Sequence, residues 1–271
     1  MENLTIRRAT LDDCGGITNV YRNETYLPWA HLDSCRESIS VRTERGFYIQ
    51  ITEIDGKIIG HGEWIVDKSL GCDYLFLGML QIDDDYQRRD IGRAMMADGE
   101  RHAAENGCDS VALVTEDAAE FYAKCGYAVE TRVLMCKIPT TDALPRSFEV
   151  SDGVPKSVLS ELPFVLGTTQ ASPRHMWELC NHKAAVKRET PTIRLSDGGY
   201  AQLNRVNNNP SAMVLVWSEN LTAATLDEAL SFGKACGLAA VDFYFFEQYA
   251  HLFNGLEVVD EGDVVMAKQI R

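Results

Sequence analysis

Apolar positions along the chain fall at two spacings, and the alternation between them lays out a series of strands and helices. Residues 4–9 alternate enough to form a first strand. Thr10 stands three residues before Asp13, the pattern of a capping box, and opens a helix through Ile17, Val20 and Tyr21. Pro28-Trp29-Ala30-His31-Leu32 breaks that helix, and a second short one follows, with Ile39 and Val41 near its end and Gly46 beyond. Residues 47–54 and 57–66 read as strands joined by Asp55-Gly56, a dipeptide favoured in tight hairpin turns. Residues 74–77 and 79–82 make one apolar strand. Ile91, Ala94 and Met95 then fall at helical spacing, in a helix that Asn106-Gly107 ends and that Gly99 weakens from inside. Residues 110–114 form a short buried-type strand. Ala118, Phe121, Tyr122 and Cys125 mark a short helix stopped by Gly126, and residues 127–138 supply one or two closing strands.

Residues 139–145 begin and end with proline and are rich in turn formers, which predicts a linker between two domains, 1–139 and 140–271. The second half echoes the first. Residues 192–195 and 200–206 read as a hairpin, 212–217 as a strand, and 225–236 as a helix opened by a Thr225-x-x-Glu228 capping box. A strand over 239–246, a short helix over 247–253 ended by Asn254-Gly255, and two closing strands through Val258 and 264–270 complete it. The repeat rests on pattern rather than identity.

A chain of 271 residues with 45% hydrophobic and 24% charged residues is an ordinary globular composition, long enough for each half to bury a core. The net charge of −14 argues against a nucleic-acid partner, because binding phosphate backbones needs a basic face. No apolar run approaches the roughly 18 residues that cross a bilayer. None of the eight cysteines forms a Cys-x-x-Cys pair, so no metal site is expected. With a polar opening segment, the cysteines read as reduced thiols in a cytoplasmic protein.

The chemistry concentrates between the strand at 79–82 and the helix from Ile91, across Gln87-Arg88-Arg89-Asp90-Ile91-Gly92-Arg93. A strand feeding a helix through such a loop points unpaired backbone N–H groups at one spot, where the helix dipole favours an anion. Arg88, Arg89 and Arg93 add cationic side chains. The stretch resembles the Gln/Arg-x-x-Gly-x-Gly/Ala motif of the GCN5-related N-acetyltransferases, with Asp90 in place of the usual glycine. A second resemblance lies in Phe121-Tyr122-Ala123-Lys124-Cys125-Gly126-Tyr127, with Ala118 also matching and Thr115 replacing an asparagine.

The resemblance implies an α/β (α+β) acetyltransferase fold, with a mixed, mostly antiparallel central sheet flanked by helices and duplicated in the second half. It implies acetyl-CoA as cosubstrate, no metal, and direct transfer in a ternary complex to an amine of a small molecule or protein. Main-chain groups of Leu80, Gln81 and Ile82 would hold the pantetheine arm. Gln87 to Arg93, with Thr115, would hold the rest of the cofactor. Tyr122 would protonate the departing sulfur, or else only pack under the cofactor. Tyr26, Trp29 and His31 would contact the acceptor, although Trp29 packed against the sheet explains that residue equally well. Glu63 is the candidate base, with His61 on the same strand face and Asp83 nearby, and the alternative is proton loss through ordered water. Ser218-Glu219-Asn220-Leu221-Thr222 replaces the phosphate loop in the second half, which makes that half degenerate and His251 structural. A monomer or homodimer is expected. The rival function is a non-catalytic acyl-CoA-binding sensor or interaction protein.

Overall fold

The strands and helices of the first half form in the expected order. The computed structural model describes residues 3–71, 73–167, 172–181, 188–206, 211–260 and 262–271. Strand β1 (Leu4–Arg8) leads into helices α1 (Cys14–Val20) and α2 (Leu32–Glu44). Then come β2 (Phe47–Ile54), β3 (Lys57–Asp67), β4 (Tyr74–Ile82), α3 (Ile91–Glu105), β5 (Ser110–Thr115), α4 (Ala119–Lys124) and β6 (Ala128–Pro139). Strands β1 to β4 pair antiparallel in sequence order, and α3 carries the chain over to β5, which lies parallel to β4. Asp55 and Gly56 both take positive φ, as the tight hairpin between β2 and β3 requires.

The faces of the sheet are covered by different means. On one, Ile17, Trp29 and Ile39 from the early helices cover Ile49, Ile51 and Phe76. On the other, α3 packs so closely that a Cβ on Gly99 would collide with the Trp64 ring. The glycine that weakens this helix in isolation therefore permits its docking. A buried polar seam fixes the helix further. Asp98 accepts 2.7 Å hydrogen bonds from Tyr48 Oη and Gln50 Nε2, and Gln50 also donates to Met95 O at 3.1 Å.

The second half contains β7 (Glu149–Ser151), α5 (Val158–Glu161), β8 (Phe164–Leu166), α6 (Pro173–Cys180), β9 (Arg188–Glu189), β10 (Thr192–Arg194), β11 (Tyr200–Val206) and β12 (Ser211–Trp217). After these come α7 (Ala223–Ala235), β13 (Ala240–Phe246), a 3₁₀ turn over Glu247–Phe253, β14 (Val258–Val259) and β15 (Val264–Gln269). The expected hairpin is β10–β11, and β12 lies parallel to β13. Helix α7 starts earlier than its capping box predicts. Thr222 is the cap, its Oγ1 accepting from Thr225 N at 3.1 Å, while Glu228 accepts from Ser196 N at 3.0 Å instead. Among the described residues, no helix is long and apolar enough to cross a membrane.

The halves are joined by an exchange that local periodicity does not reveal. Strand β15 inserts between β5 and β6, pairing antiparallel with both. The first part of β6, residues 128–132, pairs with β15, and its second part, Val133 to Pro139, pairs with β13. Each half thus receives a strand from the other, in one continuous sheet.

Removing the Asp98 carboxylate by Asp98→Ala leaves Tyr48 Oη buried without its acceptor and Gln50 Nε2 with Met95 O alone. The expected loss of unfolding free energy is about 3 kcal/mol, measured by chemical denaturation.

Candidate active site

Strands β4 and β5 stay paired only from Tyr74–Ser110 to Leu77–Leu113. At that point Trp64 pairs with Leu77 but Glu63 pairs with Met79, so Gly78 is an extra residue in β4. Such a bulge bends its strand. Beyond it β4 continues along β3, with Leu80, Gln81 and Ile82 opposite Gly62, His61 and Gly60, and no longer touches the β5 ladder. The wedge between the strands opens into a cleft of about 530 Å³. Leu80, Gln81 and Ile82 form one wall, Ala118, Phe121 and Tyr122 of the α4 region the other, and Gln87, Arg88 and residues 90–93 the end.

That end is shaped by two left-handed residues, Arg88 at φ +61° and Asp90 at φ +58°. Aspartate tolerates this backbone better than most non-glycine residues, so the turn survives without a glycine. The Asp90 side chain is 85% exposed and lies 3.9 Å from the Arg93 guanidinium. It makes no capping bond to α3, and it does not plug the cleft. The helix N-terminus therefore keeps the amides of Ile91, Gly92 and Arg93 for an anion, since the first intrahelical donor here is Ala94 N, bonded to Asp90 O at 3.0 Å. Gly92 is required by space. A Cβ there would stand 3.0 Å from Phe121 Cζ and 3.2 Å from Ile82 Cδ1, across the narrow end of the wedge. Gln87 braces the loop through Ile82 O and Asp84 Oδ1 at 3.3 and 3.0 Å. Arg88 and Arg93 line the cleft, joined by Lys124, which the sequence reading missed. Arg89 does not. It folds back to donate to Asp85 O at 2.9 Å and to stack over Tyr86.

Tyr122 is buried to 8% exposure with its ring against Phe121 and Tyr127. Burial pushes its phenol pKa well above the ordinary value, so it keeps its proton at neutral pH. Thr115 serves the local turn, its Oγ1 accepting from Ala118 N at 3.1 Å, rather than facing the cleft.

Comparison with known proteins gives a consistent result. The model of the Acetyltransferase (GNAT) family matches residues 15–127. The match covers the first half of the chain, where the wedge and the loop before α3 lie. No curated protein matches the chain. Among solved structures, a putative acetyltransferase from Pyrococcus horikoshii superposes with a TM-score of 0.67 at 14% identity, covering 98% of this chain and 89% of that one. A probable N-acyltransferase from Enterococcus faecalis V583 gives 0.66 at 13% identity, over 100% and 73% of the two chains. A tandem GNAT protein from the clavulanic acid biosynthesis pathway gives 0.63 at 13%, over 99% of each. At these identities the likeness is one of fold.

The residues expected to contact the acceptor are arranged differently from the expectation. Trp29 is 1% exposed, packed on His61 at 4.3 Å and under Arg42 at 5.0 Å, which leaves it no surface for a substrate. Tyr26 is 80% exposed, and His31 bonds to Thr25 O at 2.8 Å, so the three residues do not converge. Glu63 and His61 share a strand face but lie outside the cleft lining, and Asp83 is taken up by Arg22 at 2.9 Å. Glu63 is clamped instead. Arg42 Nε stands 2.8 Å from one carboxylate oxygen and His175 Nε2 3.0 Å from the other. Burial alone would raise its pKa, but Arg42 and the His175 hydrogen bond hold it down at about 2, too low for an effective base. His61 is pushed by burial down to about 3 and stays neutral, its Nδ1 2.8 Å from Tyr21 Oη.

His175 comes from α6, a helix the periodicity missed although Ser172-Pro173 signals its start by cap and first-turn proline. A Cβ on Gly78 would come within 2.9 Å of the His175 ring, so the bulge that opens the wedge also seats this helix. The second half thereby packs against β3 and β4 of the first.

In the second half the equivalent wedge is filled. Strands β12 and β13 pair only over 211–213 and 240–242. Strand β8 then runs beside β12, and Ser218 N donates to Pro163 O and Gly167 N to Tyr244 O, each at 3.0 Å. The space left is about 10 Å³.

Glu63 is ionised in the fold at a pH where the unfolded carboxyl, near 4.5, takes up a proton. Its contribution is therefore complete above pH 4.5 and is lost as pH falls toward 2. Between about pH 5 and pH 3, Glu63→Gln is expected to lose about 2 kcal/mol less stability than the wild type, measured by denaturant melts at each pH.

Proposed function

We propose that the protein transfers the acetyl group of acetyl-CoA to an amine in a ternary complex. The observation that carries this reading is the open wedge beside β4, ending on the free amides of α3 and facing a protonated Tyr122. The edge of β4 at Leu80, Gln81 and Ile82 offers main-chain groups to an extended pantetheine arm, as a neighbouring strand would use them. The amides of Ile91, Gly92 and Arg93 suit the pyrophosphate, and Arg88, Arg93 and Lys124 add positive charge.

In the reaction, the neutral amine nitrogen attacks the thioester carbonyl carbon. The C–N bond forms, the C–S bond breaks, and Tyr122 gives its proton to the sulfur. The carboxylates on the cleft lining, Asp90 and Asp117, are both exposed, and Glu63 is held ionised by its partners. We therefore assign removal of the amine proton to water in the cleft, not to Glu63. The two halves read as modules meeting near residue 139, the first catalytic and the second a buttress whose own slot is closed by β8. The acceptor is an amine of a small molecule or a protein.

Calorimetric titration of the whole chain with acetyl-CoA is expected to give one site per chain. Arg88→Glu with Arg93→Glu should weaken it at least tenfold, about 1.4 kcal/mol. Tyr122→Phe should lower kcat on an amine panel about a hundredfold, read as free CoA release. Two sites per chain would refute the closed second slot. Binding without turnover on any amine would leave a sensor in place of an enzyme.

A further inference from the structure

Helix α4 carries two residues of the cleft wall, Phe121 and Tyr122, yet it has six residues. A helix that short is not stable through its own hydrogen bonds and takes its position from its surroundings. The amides of Cys125, Gly126 and Tyr127 close its last turn on Phe121, Tyr122 and Ala123 O, and the end of the helix is the negative end of its dipole. One of the groups there, Cys125 O, accepts from Lys268 Nζ at 3.0 Å. The same ammonium lies 2.8 Å from both carboxylate oxygens of Glu100 on α3. Glu100 also accepts from Tyr127 Oη at 3.3 Å, and Tyr127 N donates back to Tyr122 O at 3.1 Å. A single cation thus ties the end of α4 to α3 and to β15. The clasp is partly buried, with Lys268 29% and Glu100 20% exposed, so water weakens it less than a surface pair.

Lys268 belongs to the half of the chain whose own slot is closed. It reaches this place because β15 crosses into the first sheet, where it stands opposite Val111. We infer that Lys268 is a positioning residue for Tyr122, contributed by the second half and acting through the end of α4. The inference rests on Tyr122 as the proposed acid. It also makes the first half by itself an incomplete site, since residues 1–139 contain neither β15 nor its lysine.

The test compares Lys268→Met and Lys268→Arg in the full chain. Hydrogen exchange reads the amides of Cys125, Gly126 and Tyr127, which bond back to α4 carbonyls. Lys268→Met should exchange there at least tenfold faster, while β11 and β12 keep wild-type protection. Its kcat should fall about tenfold, and Lys268→Arg should restore both readings. In a Tyr122→Phe background, Lys268→Met should change kcat less than twofold. Unchanged exchange at 125–127, or effects of the two substitutions that simply multiply, would overturn the inference. If Tyr122→Phe alone keeps wild-type kcat, the acid assignment fails, and the exchange data still decide whether Lys268 holds the helix. Should Lys268→Met not fold, Glu100→Gln breaks the clasp from its other side and is read in the same way.

Discussion

Two parallel strands that stop pairing part-way along their length impose the central constraint on this molecule. A backbone edge left without a partner inside a protein is costly unless something supplies the missing hydrogen bonds. The extra residue at Gly78 creates such an edge along residues 79–82. The cleft, the amide cluster at the start of α3 and the wall of α4 are all disposed around it. The same local problem arises between β12 and β13 and is solved in the opposite way, by a strand of the chain itself. One slot stays open and the other is filled by the chain itself.

Most of the first half was legible because its signals are local. Alternation over 47–67, the Asp55-Gly56 turn and the switch to helical spacing at Ile91 each depend on neighbours a few residues away. The loop before α3 was legible for the same reason, as a polar stretch between a strand and a helix. The pairing of β15 with β5 was not, because strand periodicity says which face of a strand is buried and nothing about which strand lies beside it. The role of Glu63 was hidden for a related reason. Its partners Arg42 and His175 come from two other helices, one of them in the second half, and only the assembled fold shows that the carboxylate is neutralised. Arg89 and Arg93 look equivalent in the sequence and part company because Tyr86 offers Arg89 a ring to stack on.

The face of β3 turned toward α2 and α6 is closed by residues in mutual contact. Tyr21, His61, Trp29, Arg42, Glu63 and His175 form a chain of contacts across β3, running from the first helix to α6. A buried charge pair of this kind adds little net stability over an apolar replacement, but losing one partner is severe. It fixes the relative placement of α2, β3 and α6, and so the shape of the wall behind the cleft.

The interleaved closing strands also set the order of events during synthesis. Residues 110–115 emerge long before residues 264–269, so the first sheet waits with an open edge while the intervening chain is made. Contacts this far apart in sequence form slowly, and an unpaired edge of this kind attracts other nascent chains. The first sheet therefore closes only after the last strand of the second half has been made.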